Sequence, residues 1–223
     1  MKVDPDLKQY EYYRTDLGVL YCCDCLTIIQ ELEPVDLIIT DPPYGIGKKW
    51  VGGFSPKHGW SNQKQKQEFR NLWDSKPPKQ EIFDLLSINS KHQIIWGGNY
   101  FNLPVSRCWL LWVKPERGFS LAEAEMAWTN ADNVTRVFNG KRHVNNALHP
   151  TQKPTGLFIW CLSQSWAKHA MTILDPFLGS GTTAVACERL NRQWIGIEIS
   201  EDYCRIAKER IERELQQKKL PGF

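Results

Sequence analysis

Short apolar runs set off by polar turns recur along the chain. Val35-Asp36-Leu37-Ile38-Ile39-Thr40, Gln93-Ile94-Ile95-Trp96, Trp109-Leu110-Leu111-Trp112-Val113, Met171-Thr172-Ile173-Leu174 and Trp194-Ile195-Gly196-Ile197-Glu198-Ile199 are near-continuous and rich in β-branched or aromatic residues. Runs of that length and kind predict strands covered on both faces. Leu20-Tyr21-Cys22-Cys23-Asp24 reads as another short strand, and Glu125-Met126-Ala127-Trp128 as a weaker one.

Between these runs the apolar period lengthens. Ile82, Leu85, Leu86 and Ile88 predict a helix over Glu81–Asn89, and Leu26–Leu32, Gly156–His169 and Thr182–Leu190 read as helices too. Ser200, followed by Glu201 and Asp202, is a good helix start, and Tyr203, Ile206, Ala207, Ile211 and Leu215 would share one face of that last helix. Strands alternating with helices predict an α/β fold, a mostly parallel twisted sheet with helices on both faces.

At 223 residues the chain suits one domain over 1–223. No stretch nears the roughly 18 unbroken apolar residues of a membrane span. Met1–Lys8 carries acids and a proline where an export signal would be apolar, so a cytoplasmic protein is expected. Seven cysteines without paired spacing fit reduced thiols. Cys22-Cys23-Asp24-Cys25 lacks the second ligand pair of a structural zinc site, so no metal is expected.

Net charge is only +3, but its distribution is uneven. The segment 45–80 holds eight basic residues, among them Lys48, Lys49 and Lys57, against two acids, and mixes them with Trp50, Phe54, Trp60, Phe69 and Trp73. A long polar stretch of that kind predicts a loop or insertion, and cations beside aromatics suit phosphates and unstacked bases.

Two motifs end predicted strands: Asp41-Pro42-Pro43-Tyr44, and Asp175-Pro176-Phe177-Leu178-Gly179-Ser180-Gly181-Thr182-Thr183. Ligands of open α/β sheets sit beyond the carboxyl ends of strands, so both motifs are expected at one crevice. Glycines at 179 and 181 let backbone approach a ligand, and Glu198, 19 residues beyond Gly179, can accept both hydroxyls of a ribose. This half predicts an adenosine-containing ligand and does not separate a dinucleotide from S-adenosylmethionine. In the other half, Asp41 supplies a carboxylate and Pro42 a carbonyl without a competing N–H. Such an acceptor pair would draw an exocyclic nitrogen of adenine or cytosine towards sp³ and free its lone pair, while Tyr44 offers a stacking face for an everted base.

Together these motifs resemble the beta group of DNA amino-methyltransferases, in which the Asp-Pro-Pro-Tyr element precedes a Phe-x-Gly-x-Gly turn. The resemblance runs from about residue 18 to residue 211. It implies a Rossmann-like methyltransferase fold in permuted motif order, S-adenosylmethionine as cofactor and double-stranded DNA as substrate. Asp rather than Ser at position 41 implies adenine N6 over cytosine N4. Cytosine-N4 or RNA amino-methylation is the alternative, and a dinucleotide-dependent oxidoreductase would leave Asp41–Tyr44 idle.

By the same resemblance, His149-Pro150-Thr151-Gln152-Lys153-Pro154 helps to hold the methionine end of the cofactor, with Lys153 suited to its carboxylate. Asp24 matches a Gly-Asp-Cys-Leu element in which Cys23 replaces the glycine. Thus His149, Thr151, Gln152, Lys153, Asp24, Asp175, Phe177, Gly179, Ser180, Gly181, Thr182, Thr183 and Glu198 are the expected cofactor residues, and Asp41–Tyr44 the catalytic ones. Larger relatives carry a sizeable target-recognition region where this chain has about twenty residues, 130–148. Arg136, Lys141 and Arg142 there, with Lys48, Lys49 and Lys57, are the expected DNA contacts. A homodimer and a cognate restriction nuclease are partners that the beta-group resemblance allows.

Overall fold

Apolar runs without polar alternation need cover on both faces of the sheet they form, and helices supply it. The computed structural model describes residues 5–46, 74, 76–115, 122–141 and 152–218. Nine strands among them join in one sheet: β1 (Glu11–Arg14), β2 (Gly18–Cys22), β3 (Val35–Thr40), β4 (Ser90–Trp96), β5 (Trp109–Val113), β6 (Ala124–Thr129), β7 (Arg136–Asn139), β8 (Thr172–Asp175) and β9 (Gln193–Glu198). Their order is β1-β2-β9-β8-β3-β4-β6-β5-β7. The central strands β2, β9, β8, β3 and β4 run parallel, β1 and β6 are antiparallel to their neighbours, and β5 pairs with β7 in parallel.

Successive side chains of a strand point to opposite faces, so residue parity sorts the core into two layers. Leu20, Leu37, Ile39, Ile94, Trp96, Ile173 and Trp194 face one side. There they meet α3 (Thr155–Leu162), α4 (Thr182–Leu190) and α5 (Glu201–Lys218), through Leu157, Phe158, Ala184, Ala207 and Ile211. Val19, Tyr21, Ile38, Ile95, Leu174, Ile195 and Ile197 face the other side, against α1 (Cys25–Ile28) and α2 (Gln80–Ile88). The fold is a Rossmann-like α/β fold with helices on both faces. Among the described residues no helix is long and apolar enough to cross a membrane.

Several expected boundaries move. The helix expected over Gly156–His169 ends at Leu162, because Arg192 reaches in and donates to the carbonyls of Leu162 (3.1 Å), Ala167 (3.2 Å) and Lys168 (3.0 Å). A distant guanidinium thus takes the place of the next helical turn. The helix expected over Leu26–Leu32 is one turn, Cys25–Ile28, started by Asp24 accepting the Leu26 N–H at 3.0 Å. The expected recognition segment 130–148 contains strand β7, whose hydrogen bonds to β5 fold Arg136 into a sheet edge. Both β7 and β1 lacked an apolar signal because they are edge strands, held by pairing more than by burial of their own residues.

The parallel pair β3 and β8 lies mid-sheet, in register at Leu37 with Ile173 and Ile38 with Leu174. From β3 the chain goes on to β4 on one side, and from β8 to β9 on the other. That reversal is the switch point at which open α/β sheets form a ligand crevice. Both motifs leave the sheet there.

Candidate active site

Adjacent parallel strands deliver the two turns together, and a buried hydrogen bond ties them. Thr40, the last residue of β3, donates its hydroxyl to Asp175 Oδ1 at 2.7 Å. Asp175 also accepts the Thr183 hydroxyl and, at 3.1 Å, the Phe177 N–H. Its carboxylate is thereby spent on β3, α4 and its own turn, and it is only 3% exposed. Asp175, expected among the cofactor residues, is buried and joins the ends of both motifs.

Burial lifts the Asp175 carboxyl to about 7 against those hydrogen bonds. A carboxyl raised in the folded state keeps its proton after the unfolded chain has lost its own, so stability falls as pH rises from about 4 to about 7. An asparagine at this position could still accept from Thr40 and Phe177 and donate to Thr183. Asp175→Asn is therefore expected to gain stability relative to wild type between pH 5 and pH 8, by on the order of 3 kcal/mol. Urea unfolding at both pH values reads this, and an unchanged difference would refute it.

The glycine turn is shaped from behind. Gly179 and Gly181 take left-handed backbone, φ 53° and 83°. Glu198, at the end of β9, accepts the N–H of Gly179 at 2.8 Å through one oxygen and that of Ser200 at 2.8 Å through the other. The Ile199 N–H also favours the charged form of this carboxylate, whose roughly four lone-pair sites still leave room for a ligand hydroxyl. Arg210 of α5 grips the turn from its far side. It donates to the Ser180 carbonyl, to Ser180 Oγ at 2.8 Å and to Thr182 Oγ1 at 3.3 Å. Burial, with Arg189 and Arg213 nearby, brings its guanidinium down to about 10. Sequence reasoning missed Arg210. The available signal was its spacing from Ile206 and Ala207 of the apolar face, which puts position 210 on the inner side of the helix.

At the other turn, the Tyr44 hydroxyl donates to Asp41 Oδ1 at 2.6 Å, and Lys153 forms an ion pair with Asp41 Oδ2. Tyr44 stacks on Tyr100 with ring centroids 4.9 Å apart and planes 14° from parallel. Gly97 makes room for this arrangement, since a Cβ there would lie 2.1 Å from the Tyr44 ring. Tyr44, expected to offer a stacking face to a base, uses one of its faces on Tyr100.

The Lys153 ammonium, expected at a cofactor carboxylate, lies between Asp41, Glu125 (3.2 Å) and the Tyr44 hydroxyl (3.0 Å). Those three acceptors account for all three of its protons. Glu125, on β6, also pairs with Lys114. Burial would raise the Glu125 carboxyl, yet Lys153 and Lys114 pull it down to about 2. Burial raises the Asp41 carboxyl against the pull of Lys153. Burial also works against the Lys153 charge, but Asp41 and Glu125 hold its pKa above the ordinary lysine value. Glu125 and Lys114 belong to no motif read from the sequence.

Of the remaining expected residues, Asp24 is exposed and caps α1, Gln152 is half-buried, and Arg136 and Lys141 are exposed at and just after β7. Lys48, Lys49, Lys57, Arg142, His149 and Thr151 lie outside the described residues.

Comparison with known proteins agrees with this architecture. The family model described as DNA methylase, of the N6/N4 type, matches residues 57–209, a span that takes in Glu125, Lys153, the glycine turn and Glu198 but begins past Asp41–Tyr44. The chain is 28% identical to the type II methyltransferase M.HpaI of Haemophilus parainfluenzae, over 87% of this chain and 74% of that protein. Among solved structures, the cytosine-N4-specific PvuII DNA methyltransferase shares the fold with a TM-score of 0.57 at 15% identity, over 93% of this chain and 94% of that one. M1.HpyAVI in complex with SAM is similar at a TM-score of 0.50 and 23% identity, over 87% of this chain and 100% of that one.

Proposed function

Since this chain belongs to the N6/N4 DNA methylase family, we propose that it methylates the N6 amino group of adenine in double-stranded DNA, with S-adenosylmethionine as the methyl donor. The observation that carries this reading is the 2.7 Å bond from Thr40 to Asp175, which holds the acceptor turn and the glycine turn at one switch-point crevice.

The residues of the crevice fit such a donor. A Cβ built on Gly179 would meet nothing nearer than the Phe177 carbonyl at 3.9 Å, so the turn leaves open space above it. Glu198 would take the ribose hydroxyls, the backbone of Gly179–Gly181 would border the ligand, and exposed Ile199 offers an apolar side chain beside it. Phe177 and Gln152, both half-buried, and Asp24 complete the proposed set, while Ser180, Thr182, Thr183 and Asp175 act from beneath by holding the turn. S-adenosylmethionine supplies an electrophilic methyl carbon on a positively charged sulfur.

Asp41 and the Pro42 carbonyl would accept the two amino hydrogens of an everted adenine and free the nitrogen lone pair for direct displacement. Pro43 holds the turn rigid, and Tyr44, braced by Tyr100, stacks with the base. Asp at position 41 supports adenine over cytosine. Arg136 and Lys141, with Lys48, Lys49, Lys57 and Arg142, would meet DNA phosphates.

Incubation with isotopically labelled S-adenosylmethionine and unmodified DNA, or RNA, followed by digestion to nucleosides and mass spectrometry, tests the reading. Label on N6-methyldeoxyadenosine is expected. Label on N4-methyldeoxycytidine would replace the base assignment, and label on no nucleoside would overturn the function.

A further inference from the structure

Four charged side chains from four separate segments meet at the acceptor turn. Asp41 follows β3, Lys114 follows β5, Glu125 sits on β6 and Lys153 precedes α3. Lys114 and Lys153 are 3% and 5% exposed, so neither charge is left to water. The contacts run in a line: Asp41 to Lys153, Lys153 to Glu125, Glu125 to Lys114. Aromatic rings wall the line in, with Lys153 Nζ 5.5 Å from the centroids of Tyr44 and Trp96, and Lys114 Nζ 4.5 Å from that of Trp112. Two cations and two anions cancel, which is the condition for keeping such charges buried.

We propose that Lys153, anchored by Glu125 and Lys114, is the positioning residue that keeps the Asp41 carboxylate ionised and aimed at the substrate amino group. This rests on the methyltransfer reading above and adds to it residues that the acceptor motif does not contain. The geometry gives each member a distinct part. Lys153 offsets the burial that would protonate Asp41. Glu125 pairs with Lys153 and keeps it charged, and Lys114 keeps Glu125 ionised.

Asp41 also feels the Tyr44 hydroxyl on its own turn, Asp175 on β8 and Asp74, which accepts the Gly45 N–H at 2.7 Å. Asp175 and Asp74 keep their own contacts when Lys153 or Glu125 is changed, whereas the Tyr44 hydroxyl loses the Lys153 donor in Lys153→Met but keeps its own bond to Asp41. The two substitutions should therefore move the Asp41 titration in opposite directions. Without Lys153, Asp41 loses its cation and takes up a proton at higher pH. Without the Glu125 charge it loses a repelling anion and stays ionised to lower pH.

The test is the pH profile of kcat for wild type, Lys153→Met and Glu125→Gln on one DNA substrate, with cofactor affinity measured by calorimetry. The acid limb should move up by about one pH unit or more in Lys153→Met and down in Glu125→Gln. Turnover at neutral pH should fall by roughly 10²-fold in Lys153→Met, while S-adenosylmethionine binds both variants as it binds wild type. Should Lys153→Met fail to fold, Lys153→Gln, which keeps a donor to Asp41 without the charge, takes its place and its acid limb should move up in the same way. Weakened cofactor binding with an unmoved acid limb would return Lys153 to the cofactor carboxylate and overturn the proposal. An unmoved limb in Glu125→Gln with wild-type turnover intact would overturn it too, leaving the methyltransfer reading standing. A wild-type protein that methylates no base would remove both.

Discussion

Asp41→Ala is expected to lower methyl transfer by about 10³-fold or more while cofactor affinity stays near wild type. Asp41 stands apart from the glycine turn: its oxygens meet Tyr44 and Lys153, and no contact of its side chain reaches Gly179–Gly181 among the described residues. Truncation removes the acceptor and leaves two lysines facing Glu125 alone. A buried pair broken on one side costs about 3 kcal/mol or more, so loss of folding has to be separated from loss of chemistry. Asp41→Asn makes that separation. It keeps the shape of the side chain and an acceptor oxygen but drops the charge, so it should fold better than the alanine variant and still turn over far more slowly than wild type. Single-turnover rates, calorimetric titration with cofactor and thermal melts on both variants provide the comparison. Retained turnover in Asp41→Ala would end the assignment of this residue as acceptor.

Gly181→Ala is expected to weaken cofactor binding by roughly 10²-fold and to destabilise the fold by about 2–3 kcal/mol. Gly181 takes φ 83° at the start of α4, a conformation that costs an L residue about 1–2 kcal/mol. A Cβ there would also sit 2.9 Å from Ala207 Cβ and 3.1 Å from Ala207 Cα, so α5 must move. Because Arg210 grips Ser180 from the same stretch of α5, the shift loosens the turn that Glu198 and the glycine backbone share. Gly179→Ala is the control. It carries the same kind of backbone strain, φ 53°, but its Cβ would meet nothing nearer than 3.9 Å. If the two variants lose equal stability in urea unfolding, the contact between α4 and α5 is not what shapes the turn.

Much of the architecture was legible before any coordinates. Burial on both faces leaves a local trace, an apolar run without alternation, and Val35–Thr40 and Trp194–Ile199 carried it within a residue of the observed strands. Edge strands leave little trace. In Glu11–Arg14 and Arg136–Asn139 the hydrogen bonds come from β2 and β5, and a neighbouring strand is invisible in a local window. Helix ends depend on partners in the same way, as Arg192 shows by closing α3 from 30 residues away.

The sequence by itself determined the α/β class, the two turns and their delivery to one crevice, since motifs and periodicity are local and strand ends are where such sheets bind. Only the tertiary structure decided who holds whom. It put Asp175 beneath the site, set Arg210 behind the glycine turn, and brought Lys153 to Asp41 and Glu125. The physical reason is that a buried charge must find its counterion wherever the fold brings one. For Lys153 one counterion came from the turn after β3 and the other, Glu125, from β6, at a position that no spacing along the chain could mark.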